Sequence, residues 1–155
     1  VSIIMGRNNF SFTVFGVIPA PQGSKKYVGQ RTTAAGNSIP LIVESSPRLP
    51  AWRKAVSDAV ITAMHDSGDN TQFDGGVKVE AVFYLPRPKT VKRPDPITPP
   101  DLDKLTRALL DGISAKGLGV WRDDSQVIRL HVAKKYATGE PGVAVTITKW
   151  LDSVT

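Results

Sequence analysis

Four carboxylates gather in two short stretches of this chain. The first is Pro100-Asp101-Leu102-Asp103-Lys104-Leu105, the second Val120-Trp121-Arg122-Asp123-Asp124-Ser125-Gln126-Val127. Each stretch places its acids at the end of an element rather than along a solvated face. Crowded carboxylates repel one another unless a cation neutralises them. Oxygen-only ligands, in a chain with no Cys and two His, suit Mg²⁺ or Mn²⁺. Such an ion polarises a phosphoryl oxygen and activates water, which is what phosphodiester hydrolysis needs. Neighbouring Lys and Arg side chains hold the flanking phosphates. Each acid alone has a plainer explanation: Asp101 as a helix N-cap, Asp103 in a first turn favoured by the macrodipole, Asp123 and Asp124 as a turn. Their gathering in a basic chain favours a metal site, and that site requires aspartates from two distant stretches to converge on one hard ion.

The elements that must carry these groups follow from hydrophobic spacing. Leu102 to Ala115 reads as a helix with Leu102, Leu105, Leu109 and Ile113 as its buried stripe and Asp103, Arg107 and Asp111 four apart on another face. Gly117 and Gly119 stop it. Pro47 to His65 reads as a second helix, with Ser46 as N-cap, Pro47 in the first turn and an apolar stripe of Trp52, Ala55, Val56, Ala59, Val60 and Ala63. Strands are expected at Phe10 to Ile18, Val77 to Leu85, Ser125 to Tyr136 and Val143 to Trp150, and Gly139-Glu140-Pro141-Gly142 reads as a hairpin turn between the last two. The order is β-α-β-α-β-β. That gives an α+β fold with a mixed sheet of about four strands and two helices on one face. Residues 19–46 and 86–100 read as long basic loops, the first with a short extended piece at Ile39 to Val43, the second broken by repeated Pro.

The length of 155 residues suits a single domain, 1–155. A net charge of +6 attracts polyanions but does not separate DNA from RNA or anionic lipid. No apolar run reaches the roughly 18–20 residues of a membrane span, and Val1 to Gly6 lacks the pattern of a signal peptide. With no Cys, a reducing cytoplasm is the expected compartment. Among the bases, Arg87, Lys89, Lys92 and Arg93 in the Pro-rich loop are the best candidates for DNA contact, with Lys25, Lys26 and Arg31 as weaker ones and Lys104 read as a phosphate contact or a helix-surface charge. Lys134 lies ten residues beyond Asp124 on the same strand. At about 3.3 Å per residue that is roughly 33 Å, too far to share a site with it, so Lys134 is read as a DNA-contact or packing residue. Trp121 could stack on a base, although a Trp among apolar neighbours is more often core.

The pattern P-D-x-D-(N/K)-L-x-(K/R), then an Asp, then V-W-x-D-D-x-Q-V and a strand ending in Lys, resembles the RusA family of Holliday junction resolvases. Here it reads Pro100 to Arg107, Asp111, Val120 to Val127 and Lys134, within residues 77–149. The resemblance implies a homodimer that depends on Mg²⁺ (or Mn²⁺) and makes paired nicks in four-way junctions during recombination and repair, often of phage or prophage origin. It maps the family's essential carboxylates onto Asp101, Asp103 and Asp124, with Asp123 an adjacent acid, and a catalytic lysine onto Arg107. Arg stays protonated and cannot act as a base, so Arg107 is expected to clamp the scissile phosphate. Two other readings stand beside this one. The chain could be a non-catalytic nucleic-acid-binding module with its acids as caps, or a nuclease with the same site that prefers flaps or forks.

Overall fold

The structure, a computed structural model, describes residues 7–23, 25–44, 46–115 and 117–151; for 25–28 and 40–44 it describes the backbone. The Val1 to Gly6 segment thus lies outside the described residues. The chain runs β1 (Asn9–Phe15), β2 (Lys25–Thr32), β3 (Ser38–Glu44), α1 (Leu49–Ser67), β4 (Val77–Leu85), α2 (Leu102–Ile113), a single 3₁₀ turn (Asp124–Gln126), β5 (Val127–Tyr136) and β6 (Gly142–Lys149). The main sheet is mixed and four-stranded, in the order β1-β6-β4-β5. The α+β fold with two helices is as the sequence pattern implies.

β4 is the spine of the sheet. Its alternate residues Val77, Val79, Ala81, Phe83 and Leu85 are buried, the period-2 pattern of a strand with one covered face. Phe10, Phe12 and Val14 of β1 and Val143, Val145 and Ile147 of β6 extend that face. α1 covers it with Leu49, Trp52, Val56 and Val60, and α2 with Leu105, Ala108, Leu109 and Ile113. Burying each large apolar side chain contributes about 1.5–3 kcal/mol. α1 begins two residues later than the spacing suggests, because Arg48 is its cap and Pro50 its first-turn proline; it ends at Gly68, whose φ is +65°.

Two expectations are corrected. Residues 19–46 are not a continuous loop. β2 and β3 pair antiparallel as a separate two-stranded sheet, closed by a turn in which Thr33 N donates to Asn37 O (2.8 Å) and Gly36 N to Thr33 O (2.9 Å). Nor are β5 and β6 a hairpin. β5 pairs parallel with β4 through the α2 crossover, and β6 lies between β4 and β1, antiparallel to both.

Gly112 lies where α1 crosses α2. A Cβ there would stand 2.8 Å from Val56 Cγ1 and 2.9 Å from Val56 Cβ, and Ser57 Oγ donates to Gly112 O (2.8 Å). Gly112→Ala would gain about 1 kcal/mol of helix propensity but overpack the crossing at a cost of about 1–3 kcal/mol. The expected outcome in urea unfolding is a lower midpoint; a higher midpoint would mean the helices do not meet this closely.

Candidate metal and nucleic-acid site

The head of α2 is set by the loop that leads to it. Lys134 Nζ on β5 donates to Thr98 O and to Pro100 O, both at 2.9 Å. This ties the edge strand β5 to the segment that ends at Asp101. Of the two readings of Lys134, these contacts support the packing one, beside Asp101. Asp101 caps α2 through its backbone, accepting from Leu105 N (3.1 Å), but its side chain makes no capping hydrogen bond. Its carboxylate instead faces Lys104 Nζ at 3.4 Å. Asp103 is exposed in the first turn and Arg107 is exposed one turn further on. Among the described residues neither has a hydrogen bond or ion pair. The cap explanation thus fails for the Asp101 carboxylate, which pairs with Lys104 instead, while Asp103 and Arg107 present uncommitted polar atoms to solvent.

The second acidic stretch sits at the tail of α2. Trp121 is buried, and its Nε1 donates to Ser114 Oγ (2.6 Å) and to Asp124 Oδ1 (3.2 Å). Ser114, the C-cap of α2, also donates to Asp124 Oδ1. Gln126 fixes the turn from both sides: its Nε2 donates to Phe73 O (3.0 Å) and Gly75 O (2.9 Å), and its Oε1 accepts from Arg122 N (2.8 Å). The V-W-x-D-D-x-Q-V pattern is accordingly a scaffold that seats Asp124 against the end of the helix, and Trp121 is core, not a base-stacking platform. Asp123 is taken up as the cap of the 3₁₀ turn, accepting from Ser125 N (2.9 Å). The Ser125 hydrogen bonds hold its carboxyl below the usual carboxylate range. The plainer explanation fits Asp123, and its assignment as a metal ligand loses support.

Within one chain the two stretches do not converge. Asp103 and Ser114 are eleven residues apart on α2 and its cap, roughly 16 Å at 1.5 Å per residue. Ligands of one Mg²⁺ lie about 2.1 Å from it. Asp124, held at Ser114, cannot reach an ion held by Asp101 and Asp103 of the same chain. Among the described residues no three His, Asp or Glu side chains form a group that could hold a metal. The expectation that all three aspartates close on one ion within a single chain is corrected.

The basic residues divide. Lys89 and Lys92 are exposed in the Pro-rich loop. Arg87 stacks on the Tyr136 ring (4.4 Å to its centroid) and donates to Arg93 O (2.7 Å), while half-buried Arg93 reaches Thr98 Oγ1 (3.4 Å). These two arginines shape the loop that carries the lysines. Lys25 and Lys26 lie on β2, with side chains outside the described residues.

Sequence spacing missed the approach to α2 from residues 21–23. Gln22 N donates to Lys104 O (3.0 Å), the Gln22 Nε2 amide donates to Asp111 Oδ2, and Gly23 lies over the Arg107 side chain. The one signal was Pro21-Gln22-Gly23, a turn-forming run just before a pair of lysines. A wide concavity on the opposite face of the sheet, lined by Ser11, Thr13, Glu80, Val82, Ala144 and Thr146 among others, contains none of the acids of the two stretches.

A family model described as "Endodeoxyribonuclease RusA" matches residues 18–148, which include every acid and base discussed. The chain is also similar to "Uncharacterized protein YqaN" of Bacillus subtilis (strain 168). The two are 30% identical over 112 residues, covering 64% of this chain and 76% of the relative.

Proposed function

The chain belongs to the RusA endodeoxyribonuclease family, and from that premise we propose that it is a Mg²⁺-dependent homodimeric endonuclease that resolves four-way DNA junctions by paired nicks in recombination and repair, in the cytoplasm. The observation that carries this reading is the exposed pair of carboxylates Asp101 and Asp103 at the head of α2, neither making a side-chain capping bond, with Arg107 one turn on. Mg²⁺ is commonly held by one or two carboxylates, with water and substrate phosphate completing its shell. Asp101 and Asp103 fit that demand, and Mn²⁺ would fit as well. When bound, the ion supplies a Lewis acid for the phosphoryl group and lowers the pKa of water. Arg107 holds the scissile phosphate with two parallel N–H donors. Lys104, Lys89 and Lys92, together with Lys25 and Lys26, neutralise neighbouring phosphates.

Asp124 enters from a second copy in this reading. A two-fold axis across the middle of α2 sets the head of one copy's helix beside the tail of its partner's. Each of two equivalent sites then takes Asp101 and Asp103 from one chain and Asp124 from the other. The arrangement matches a substrate with two equivalent strands to cut.

A 5′-labelled synthetic four-way junction, a flap and a linear duplex of the same sequence provide the test. The expected outcome is Mg²⁺-dependent cleavage of the junction at least tenfold faster than of the others, a gap of about 1.4 kcal/mol in barrier. Faster cleavage of the flap would move the reading to a flap nuclease. Binding with no cleavage in Mg²⁺ or Mn²⁺ would leave only a binding module.

A further inference from the structure

Residues 21–23 connect β1 with the β2–β3 sheet, and they cross the one face of α2 that carries Asp103, Arg107 and Asp111. The crossing is fastened at two points. Gln22 N donates to the helix carbonyl of Lys104 at 3.0 Å, and the Gln22 side-chain amide donates to Asp111 one turn beyond Arg107. Gln22 Oε1 is buried without a partner, so the side chain is held by its amide alone. Gly23 then passes directly above Arg107. Its φ is +115°, a conformation open to glycine and rarely adopted by other residues. A Cβ at Gly23 would stand 3.3 Å from Arg107 Nη1, 3.8 Å from Arg107 Cδ and 3.9 Å from Lys104 Cγ.

These contacts bear on Arg107 in particular. Its guanidinium has no hydrogen-bond or ion-pair partner among the described residues. Hydrogen bonds to protein acceptors therefore do not set its direction; what limits it is the backbone lying over it. An exposed arginine loses considerable rotamer freedom on being ordered, about 2 kcal/mol for the whole side chain. A ceiling of backbone that removes some of those rotamers in advance leaves less to lose when phosphate arrives.

We propose that Gln22 and Gly23 are positioning residues for Arg107: Gln22 fastens the crossing segment to α2, and Gly23 leaves the space that the guanidinium occupies while barring its other orientations. The inference rests on the phosphate-holding role given to Arg107 above. Neither residue touches the reacting atoms; both act through the guanidinium.

The test is a double-mutant cycle between Gly23→Ala and Arg107→Lys, read as single-turnover cleavage of a labelled four-way junction in Mg²⁺. Lysine has no planar guanidinium to collide with the added methyl group. In the Arg107 background Gly23→Ala is expected to lower kcat about tenfold, the scale of a sub-ångström misplacement, while junction affinity changes less than twofold. In the Arg107→Lys background the loss is expected to be about fivefold smaller, the strain of a Cβ at φ +115° being common to both backgrounds and cancelling in the cycle. Gln22→Leu is expected to show the same coupling, weaker in size. An independent reading comes from NMR of the free protein. The Arg107 Nε–H resonance should shift in Gly23→Ala while the amides of β5 stay in place, whatever the activity.

Equal losses in both backgrounds, or an unmoved Arg107 resonance, would overturn the positioning role while leaving Arg107 itself in place. Full activity of Arg107→Ala would instead remove the phosphate-holding role, and the inference with it.

Discussion

Asp103→Asn is expected to lower junction cleavage in Mg²⁺ by about a thousandfold, the scale on which loss of one preorganised electrostatic group at a reacting centre is felt, while junction binding persists or tightens. Asp103 is exposed and has no protein partner among the described residues. Asparagine leaves its shape and its place in the first turn nearly unchanged, and surface changes away from buried features usually alter stability by no more than about 0.5 kcal/mol. A loss of cleavage thus reads on chemistry rather than folding. Binding should strengthen because one negative charge leaves a surface that faces phosphates. Separate measurements of binding in Ca²⁺ and cleavage in Mg²⁺ divide the two effects. If cleavage survived the change, the acids at the head of α2 would be helix-terminal charges and nothing more. If binding fell in step with cleavage, Asp103 would be a structural residue.

Much of the fold is legible in the sequence because one buried face writes a period into each element. β4 runs from Val77 to Leu85 as the alternation implies, since every second residue is buried in the core. α2 begins at Leu102 as its stripe implies. Where no covered face exists, the signal vanishes. The β2–β3 pair stands apart from the main sheet, so the Gly- and Lys-containing β2 shows no apolar alternation and reads as loop, and β3 shows only as a short extended piece. The turn residues after β5 mark a change of direction but not the partner of the next strand; β5 is joined to one edge of β4 through α2, and β6 fills the other, between β4 and β1.

The site was legible as chemistry but not as geometry. The two acidic stretches stand out by residue type, and Trp121 and Gln126 prove to be the scaffold of the second. The sequence spacing did contain the distance between them. Asp103 starts a helix of three turns, and the second stretch follows the end of that helix, so one chain cannot bring both to a single ion. Gln22 and Gly23 escaped notice because their roles depend on a crossing of distant segments that no local pattern encodes.

That separation makes a strong claim about assembly. Asp103→Asn and Asp124→Asn should each be inactive as pure dimers, because each removes an acid from both sites. A mixed dimer of the two variants behaves differently under two-fold symmetry. One of its sites receives both substitutions. The other receives Asp101 and Asp103 from the Asp124→Asn chain and Asp124 from the Asp103→Asn chain, and is intact. Co-expression with two affinity tags yields that mixed dimer for assay on a four-way junction labelled on each strand in turn. The account predicts that it cuts at about half the wild-type rate per dimer, the share of one working site in two. The product should be a junction nicked in one strand, not resolved duplexes. A mixed dimer as inactive as both parents, though it binds the junction as they do, would contradict the shared site.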